Sequence, residues 1–212
     1  MNMPNRIHKE ILTKEQVELL PIVAYFSKNF GLVGGTAIAL MIGHRESLDF
    51  DLFSMKKFSN MQISSTIKEH MKIDSVIVNK LGEFTITIKG VKMTFFHYPF
   101  DIPLHKKIFF YSIKGPDLLT LAAMKAYALG MREKWKDYVD LYFIMKDFYS
   151  IQEIIEKAKE IFKNEFNDRM FINQLAYFES INYQEPIIYK KGFEVSDGVI
   201  KKNLIKFSLF KK

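Results

Sequence analysis

The chain has 212 residues, 48% of them hydrophobic with twenty Phe and eleven Met, and a formal charge of +7. This composition supports a substantial core and argues against general disorder, while the absence of cysteine excludes disulfides, thiolate metal ligands and a thiol nucleophile. Residues 1–16 lack the apolar run of a signal peptide and no stretch of about 18 apolar residues suggests a membrane span, so a cytoplasmic protein without membrane contact is expected.

In chain order, residues 8–29 are expected to form an amphipathic helix, with Ile11, Val17, Leu20, Val23 and Phe26 on an apolar face that Pro21 interrupts. Residues 31–34 lead into a Gly-Gly turn, 36–42 read as helix and 48–53 as strand. Residues 60–71 give a further helix. From Asp74 to His97, apolar and polar positions alternate through SVIVN, EFTITI and VKMTFFH, which predicts a meander with one hairpin at Lys89-Gly90. Pro99 and Pro103 interrupt regular structure. From Pro116 onward the pattern turns helical, over 116–130, 134–148, 151–163 and 166–180. The last thirty residues carry no decisive pattern, and the change near residue 115 is one of composition.

The chemistry concentrates in residues 34–53, GGTAIALMIGHRESLDFDLF. Asp49 and Asp51 are two apart, so on a strand their side chains share a face, with Phe50 on the other. Two adjacent carboxylates suit Mg²⁺, which takes hard oxygen ligands and keeps positions open for water and substrate phosphates. Gly34 and Gly35 permit close backbone approach, and Thr36 sits where a helix begins, a place that attracts phosphate. Either a DxD pair or a Gly-Gly turn alone is usually structural. Their combination, joined by the apolar stretch Ile38, Leu40, Met41 and Ile42, is what points to a phosphate-handling metal site.

The blocks GGTAIAL, GHR and SLDFDLF, at residues 34–40, 43–45 and 47–53, resemble the nucleotidyltransferase superfamily that includes DNA polymerase β, in particular its AbiEii/AbiGii-type toxin branch. Residues 117–141 strengthen the resemblance with KxxAxxxR at Lys125, Ala128 and Arg132, and KDxxD at Lys136, Asp137 and Asp140. The match spans residues 31–145. It implies an α+β fold: a polymerase-β-like core of mixed sheet flanked by helices over residues 1–115, then a mainly helical region, 116–212, that completes the active site and ends in a basic tail. It also implies transfer of a nucleotidyl group from a nucleoside triphosphate to an acceptor. Asp49 and Asp51 would hold Mg²⁺ or Mn²⁺, and Gly35 and Thr36 the triphosphate. Lys125 would meet phosphate charge, and Asp140, with Asp137 second, would be an activating or supporting carboxylate. Arg45 is expected either to touch phosphate or to brace the DxD strand, and Arg132 either to bind phosphate or to pair with Asp137. Lys125 as a core-edge lysine, and Lys136 with Asp140 as a surface pair at i,i+4, are the structural alternatives.

One position departs from the superfamily pattern. A third carboxylate is expected on a strand within VKMTFFHYPF, residues 91–100, and Thr94 stands there instead. A hydroxyl is a weak metal ligand and no useful base at neutral pH. Either Asp140 or Asp137 substitutes, or Glu83 or Asp101 fills the role, or the activity is weak or absent.

Residues 186–212 hold seven lysines against Glu194 and Asp197, interspersed with Tyr189, Phe193, Phe207 and Phe210. Such a tail has the composition to follow a phosphate backbone and stack on unpaired bases, or to be a solvated terminus. The resemblance implies the toxin of a toxin–antitoxin or abortive-infection pair, with a cognate antitoxin and an RNA acceptor such as the 3′ end of a tRNA. A protein AMP transferase and an inactive nucleotide- or antitoxin-binding module are the alternatives. The histidines show no metal-ligand spacing, and Trp135 reads as a packing anchor.

Overall fold

In this computed structural model, which describes residues 6–105, 109–129 and 131–209, a short 3-10 turn at Lys9–Ile11 precedes helix α1 (Lys14–Phe26). Thr13 and Gln16 form a reciprocal capping box, so α1 starts at residue 14, not at 8 as the periodicity predicts. Pro21 does not break the helix. It is exposed, while Leu19, Leu20, Ile22, Val23 and Phe26 are buried, and their packing offsets the one hydrogen bond the proline cannot make.

Strand β1 (Gly31–Val33) passes directly into α2 (Gly34–Ile42), with Gly34 at φ +73° making the turn and Gly43 at φ +79° ending the helix in a left-handed cap. Every residue of α2 from Thr36 to Ile42 is buried, as a helix apolar on all sides must be. Next come β2 (Phe50–Ser54), α3 (Asn60–Lys68), β3 (Ser75–Lys80), β4 (Glu83–Ile88) and β5 (Val91–His97). The expected meander is present but has two hairpins. Lys80 pairs with Glu83 across Leu81-Gly82, and Ile88 with Val91 across Lys89-Gly90. Gly82, at φ +78°, supplies the first of these turns.

The five strands run in the order β1-β2-β5-β4-β3, with β2 and β5 parallel and the other pairs antiparallel. Phe26 of α1 meets Phe95 of β5 edge-on at 4.9 Å, so α1 covers the sheet face bearing Met93 and Phe95. Because side chains alternate along a strand, Asp51, Thr94 and Thr85 point to the opposite face, toward the helical half of the chain.

That half comprises α4 (Leu118–Leu129), α5 (Trp135–Asp147), α6 (Ile151–Phe162), α7 (Asp168–Leu175) and α8 (Asp197–Ser208). The first four lie within the predicted spans. Helix α8 occupies the stretch without a decisive pattern, with Ile200 and Leu204 as its buried contacts and Lys201 over the rings of Trp135, Phe178 and Tyr183. Trp135 is buried and stacked on Tyr138, the anchor its composition suggested. The buried core runs from α1 and the sheet through α2 into α4, α5 and α6. Among the described residues, no helix is long and apolar enough to cross a membrane.

Candidate active site

Parallel pairing of β2 with β5 sets Asp51 beside Thr94, so Thr94 does occupy the place where a third carboxylate is expected. Asp51 is recessed against the Gly-Gly turn: a Cβ at Gly34 would overlap its carboxylate. That carboxylate has neither a hydrogen bond nor an ion pair among the described residues, and burial followed by the charge of Asp49 pushes its pKa up. Asp49 precedes β2 and pairs with Lys92, whose Nζ lies 2.6 Å from Oδ2. A crowded carboxylate pair with one member unpartnered fits a divalent cation. The donors are hard oxygens. Among the described residues no cluster of three or more His, Cys, Asp or Glu could hold a metal ion, so water and substrate phosphate would complete the shell.

The turn that backs this pair is stapled from within. Thr36, almost fully buried, donates its hydroxyl to the Asp49 carbonyl and bonds Ser47 Oγ at 2.8 Å. Its side chain is therefore spent on holding the DxD segment. Gly35 faces the cleft, and a Cβ there would fall 2.5 Å from Arg45 Nη2.

Behind the acids lies a cluster of buried charges. Asp140, fully buried on α5, accepts from Arg45 Nε and Nη2 at 2.8 and 2.9 Å and from His44 at 2.9 Å, and lies 3.0 Å from Lys125 Nζ. Burial alone would raise its pKa, but Arg45, Lys125 and the His44 bond hold it well below the carboxylate range. Burial lowers the pKa of His44 in turn, so the neutral ring donates from Nε2, and its buried Nδ1 has no hydrogen-bond partner. Asp137, one turn earlier on α5, pairs with Lys125 and with Arg132, whose Nε is 2.8 Å away. Against their burial, Lys125 and Arg132 keep Asp137 ionised, and Asp137 and Asp140 keep Lys125 charged.

These groups surround a cleft of about 660 Å³ whose walls include Asp49, Asp51, Lys92, Lys125, Arg132 and Glu185. A second cavity of about 350 Å³ shares Asp51, Glu83, Thr94, Lys125 and Arg132 with the cleft, and Ile38, Phe96, Leu121 and Met124 are among its apolar walls. Asp137 lines the cleft, whereas Asp140 stands behind it. Arg45 reaches the cleft but spends its guanidinium on Asp140, and Arg132 takes the Asp137 pairing. Lys136 pairs with Glu185 at 3.1 Å and not with Asp140, because Asp140 turns inward on the helix. Glu83 lines the cleft and Asp101 does not. Of the tail residues, Tyr189 and Phe193 pack on Phe143, with centroids 6.3 and 5.7 Å apart, so those rings are not offered to bases; Phe210 lies outside the described residues. Lys92, Lys134 and Glu185 were not foreseen. Lys92 shares the alternation of Thr94, which puts both on one face of β5, but the parallel register that brings it to Asp49 has no local signature.

Gly34→Ala should test the turn. Its φ of +73° is a left-handed conformation costing an L-residue about 1–2 kcal/mol, and the added methyl meets the Asp51 carboxylate. Denaturant unfolding should show a loss of at least that size, and substrate turnover should fall further than stability does.

No protein-family model matches the chain. The uncharacterized protein aq_aa25 of Aquifex aeolicus (strain VF5) is 31% identical over 176 residues, covering 79% of this chain and 84% of that protein. Among solved structures, the nucleotidyltransferase toxin MenT4 of Mycobacterium tuberculosis H37Rv aligns with a TM-score of 0.57 at 12% identity, over 91% of this chain and 81% of its own. A protein of H. pylori assigned as a nucleotidyltransferase aligns with a TM-score of 0.51 at 14% identity, over 92% and 90%. At such identities the likeness is one of fold, and it agrees with the mixed sheet flanked by helices.

Proposed function

The chain belongs to the family of the Aquifex aeolicus protein aq_aa25, and from that premise we propose that it is a divalent-metal-dependent nucleotidyltransferase acting on a nucleoside triphosphate. Support for the activity comes from the site. The observation that carries it is Asp51: a recessed carboxylate without a partner, beside Asp49, at a Gly-Gly turn, in a cleft also lined by Lys125 and Arg132, which Asp137 and Asp140 hold in place. A divalent cation bound by Asp49 and Asp51 would neutralise phosphate oxygens. In the reaction, an acceptor hydroxyl oxygen bonds to the α-phosphorus, the bond to the pyrophosphate oxygen breaks, and pyrophosphate and a proton leave. Gly35 allows close approach of the phosphates. Lys125, aimed by Asp137 and Asp140, and Arg132 face the charge that develops on the leaving pyrophosphate. Asp140 acts as a supporting carboxylate, fixing Lys125 and Arg45.

The toxin role belongs to the same proposal. It rests on the AbiEii/AbiGii-type motifs and agrees with MenT4 being a nucleotidyltransferase toxin, and it brings with it an RNA acceptor, such as a tRNA 3′ end, and a cognate antitoxin. The test is incubation of purified protein with Mg²⁺, each α-labelled nucleoside triphosphate and total tRNA, beside an Asp49→Ala/Asp51→Ala control. Label in RNA with the intact protein alone is the expected result; label in protein would make it a protein-modifying transferase. A second reading, nucleotide binding without turnover, is favoured by Thr94 beside Asp51. It requires measurable nucleotide affinity with no label transferred to any acceptor.

A further inference from the structure

Residues 182–190 form a strap along the cleft, which Glu185, Pro186 and Ile188 help to line. Backbone bonds pin it at both ends: Asn182 donates to the Glu133 carbonyl at 2.8 Å, Glu46 donates to the Ile188 carbonyl at 2.8 Å, and Lys190 donates to the His44 carbonyl at 3.0 Å. Between the pins, Glu185 ties the strap to the start of α5. Its Oε1 is 3.0 Å from Lys134 Nζ and its Oε2 is 3.1 Å from Lys136 Nζ. All three side chains line the same cavity as Asp49 and Asp51, and at 48%, 46% and 23% exposure they are within reach of a ligand.

A carboxylate that spans two ammonium groups presents two oxygens as a phosphate does. Exposed ion pairs of this kind are each worth only about 0.2–1 kcal/mol, so an incoming anion can compete for the lysines. Phosphate has more oxygens and at least equal charge, whereas the Glu185 side chain, 48% exposed, can rotate into solvent while the strap stays pinned. We propose that Lys134 and Lys136 form a phosphate site that the Glu185 carboxylate fills in the free protein, and that a phosphate group of the substrate displaces it. The proposal rests on the nucleotidyltransferase reading for the nature of the ligand. The phosphate belongs either to the nucleoside triphosphate or to the backbone of an RNA acceptor. Lys134, followed by Lys136, draws Glu185 down to a pKa of about 2, so the competing charge is present throughout the neutral range.

Binding without turnover separates the two sources. The full chain and its Glu185→Gln, Lys134→Ala and Lys68→Ala variants are titrated with ATP and GTP in Mg²⁺, and separately with fluorescent single-stranded RNA lacking nucleotide, at several salt concentrations. Lys68, exposed on α3 and outside the cleft, is the control. Glu185→Gln should tighten binding and Lys134→Ala weaken it, each by up to about fivefold, with Lys68→Ala unchanged. Changes confined to the nucleotide arm assign the site to the triphosphate. Changes confined to the RNA arm, with the salt slope of Lys134→Ala reduced by about 0.7, assign it to the acceptor backbone. If Glu185→Gln weakens binding as Lys134→Ala does, Glu185 is a structural brace and the proposal falls; it falls equally if no variant shifts either affinity or if neither ligand binds. Failure of nucleotidyl transfer with these shifts intact would overturn the activity and leave the phosphate site standing.

Discussion

Asp51→Asn is expected to abolish the proposed nucleotidyl transfer and to leave the unfolding midpoint unchanged or raise it. The two halves of that result have one cause. In the folded protein the carboxylate of Asp51 is recessed, unpartnered and close to Asp49, so ionising it is unfavourable and its pKa is raised. An acid whose folded pKa lies above its unfolded value subtracts stability once pH has risen past the unfolded value, and at neutral pH the amide removes that cost. Under the proposed function a bound cation would offset this cost. With the anchoring charge gone, several kcal/mol of transition-state stabilisation go with it, and transfer should fall at least about a thousandfold. The check is α-labelled transfer beside thermal unfolding with and without Mn²⁺. Metal together with nucleoside triphosphate should raise the midpoint of the native protein and not that of the variant. A variant that transfers normally, or one that unfolds markedly earlier, would remove Asp51 from the proposed metal site.

Much of this site was legible because its parts are local. Gly34, Gly35, Asp49 and Asp51 lie within one turn–helix–strand unit, and period-2 and period-3.6 patterns place each of them without knowledge of the rest. Thr94 stood out only through the resemblance, as a hydroxyl where an acid is expected; that it lies beside Asp51 depends on the parallel register of β2 and β5, which has no local signature. Of the charged pairings, Arg132 with Asp137 was foreseen as one alternative, and the longer-range ones were hidden. Asp140 and Lys136 are four apart on a helix and look like an exposed pair, yet Asp140 turns inward to Arg45 and His44, ninety-five and ninety-six residues away in sequence. Sequence spacing reports which groups share a helix face; it does not report what the face meets. Glu185 and α8 were missed for a related reason. The strap is held by backbone bonds to two distant loops, and α8 buries only Ile200 and Leu204, too few apolar positions to set a period.

The buried cluster predicts the opposite signature from Asp51. Asp140→Ala should lower unfolding free energy by about 3–5 kcal/mol, a large part of the total for a domain of ordinary stability. The loss arises because Arg45, 1% exposed, and Lys125, 5% exposed, would both lose a partner in the interior. A well-packed Arg45→Met/Asp140→Leu double variant should recover much of it, since removing both charges also removes their desolvation. The pH dependence follows with a definite sign. Asp140 has a folded pKa well below its ordinary 3.8, so its contribution is complete above that value and is lost as pH falls through the folded pKa. Denaturant melts of the native protein between neutral and strongly acidic pH should therefore show an acid-side decline that is shallower in the double variant, which keeps the contributions of Asp137 and Glu185. Transfer activity separates the roles further. If Asp140 supports Lys125 and Arg45, a folded Asp140→Asn protein should lose activity together with stability, and Lys125→Ala should reduce activity without adding to the loss in a Lys125→Ala/Asp140→Asn double variant. Were Asp140 to touch the acceptor hydroxyl itself, Asp140→Asn would lose transfer at full stability, as Asp51→Asn does.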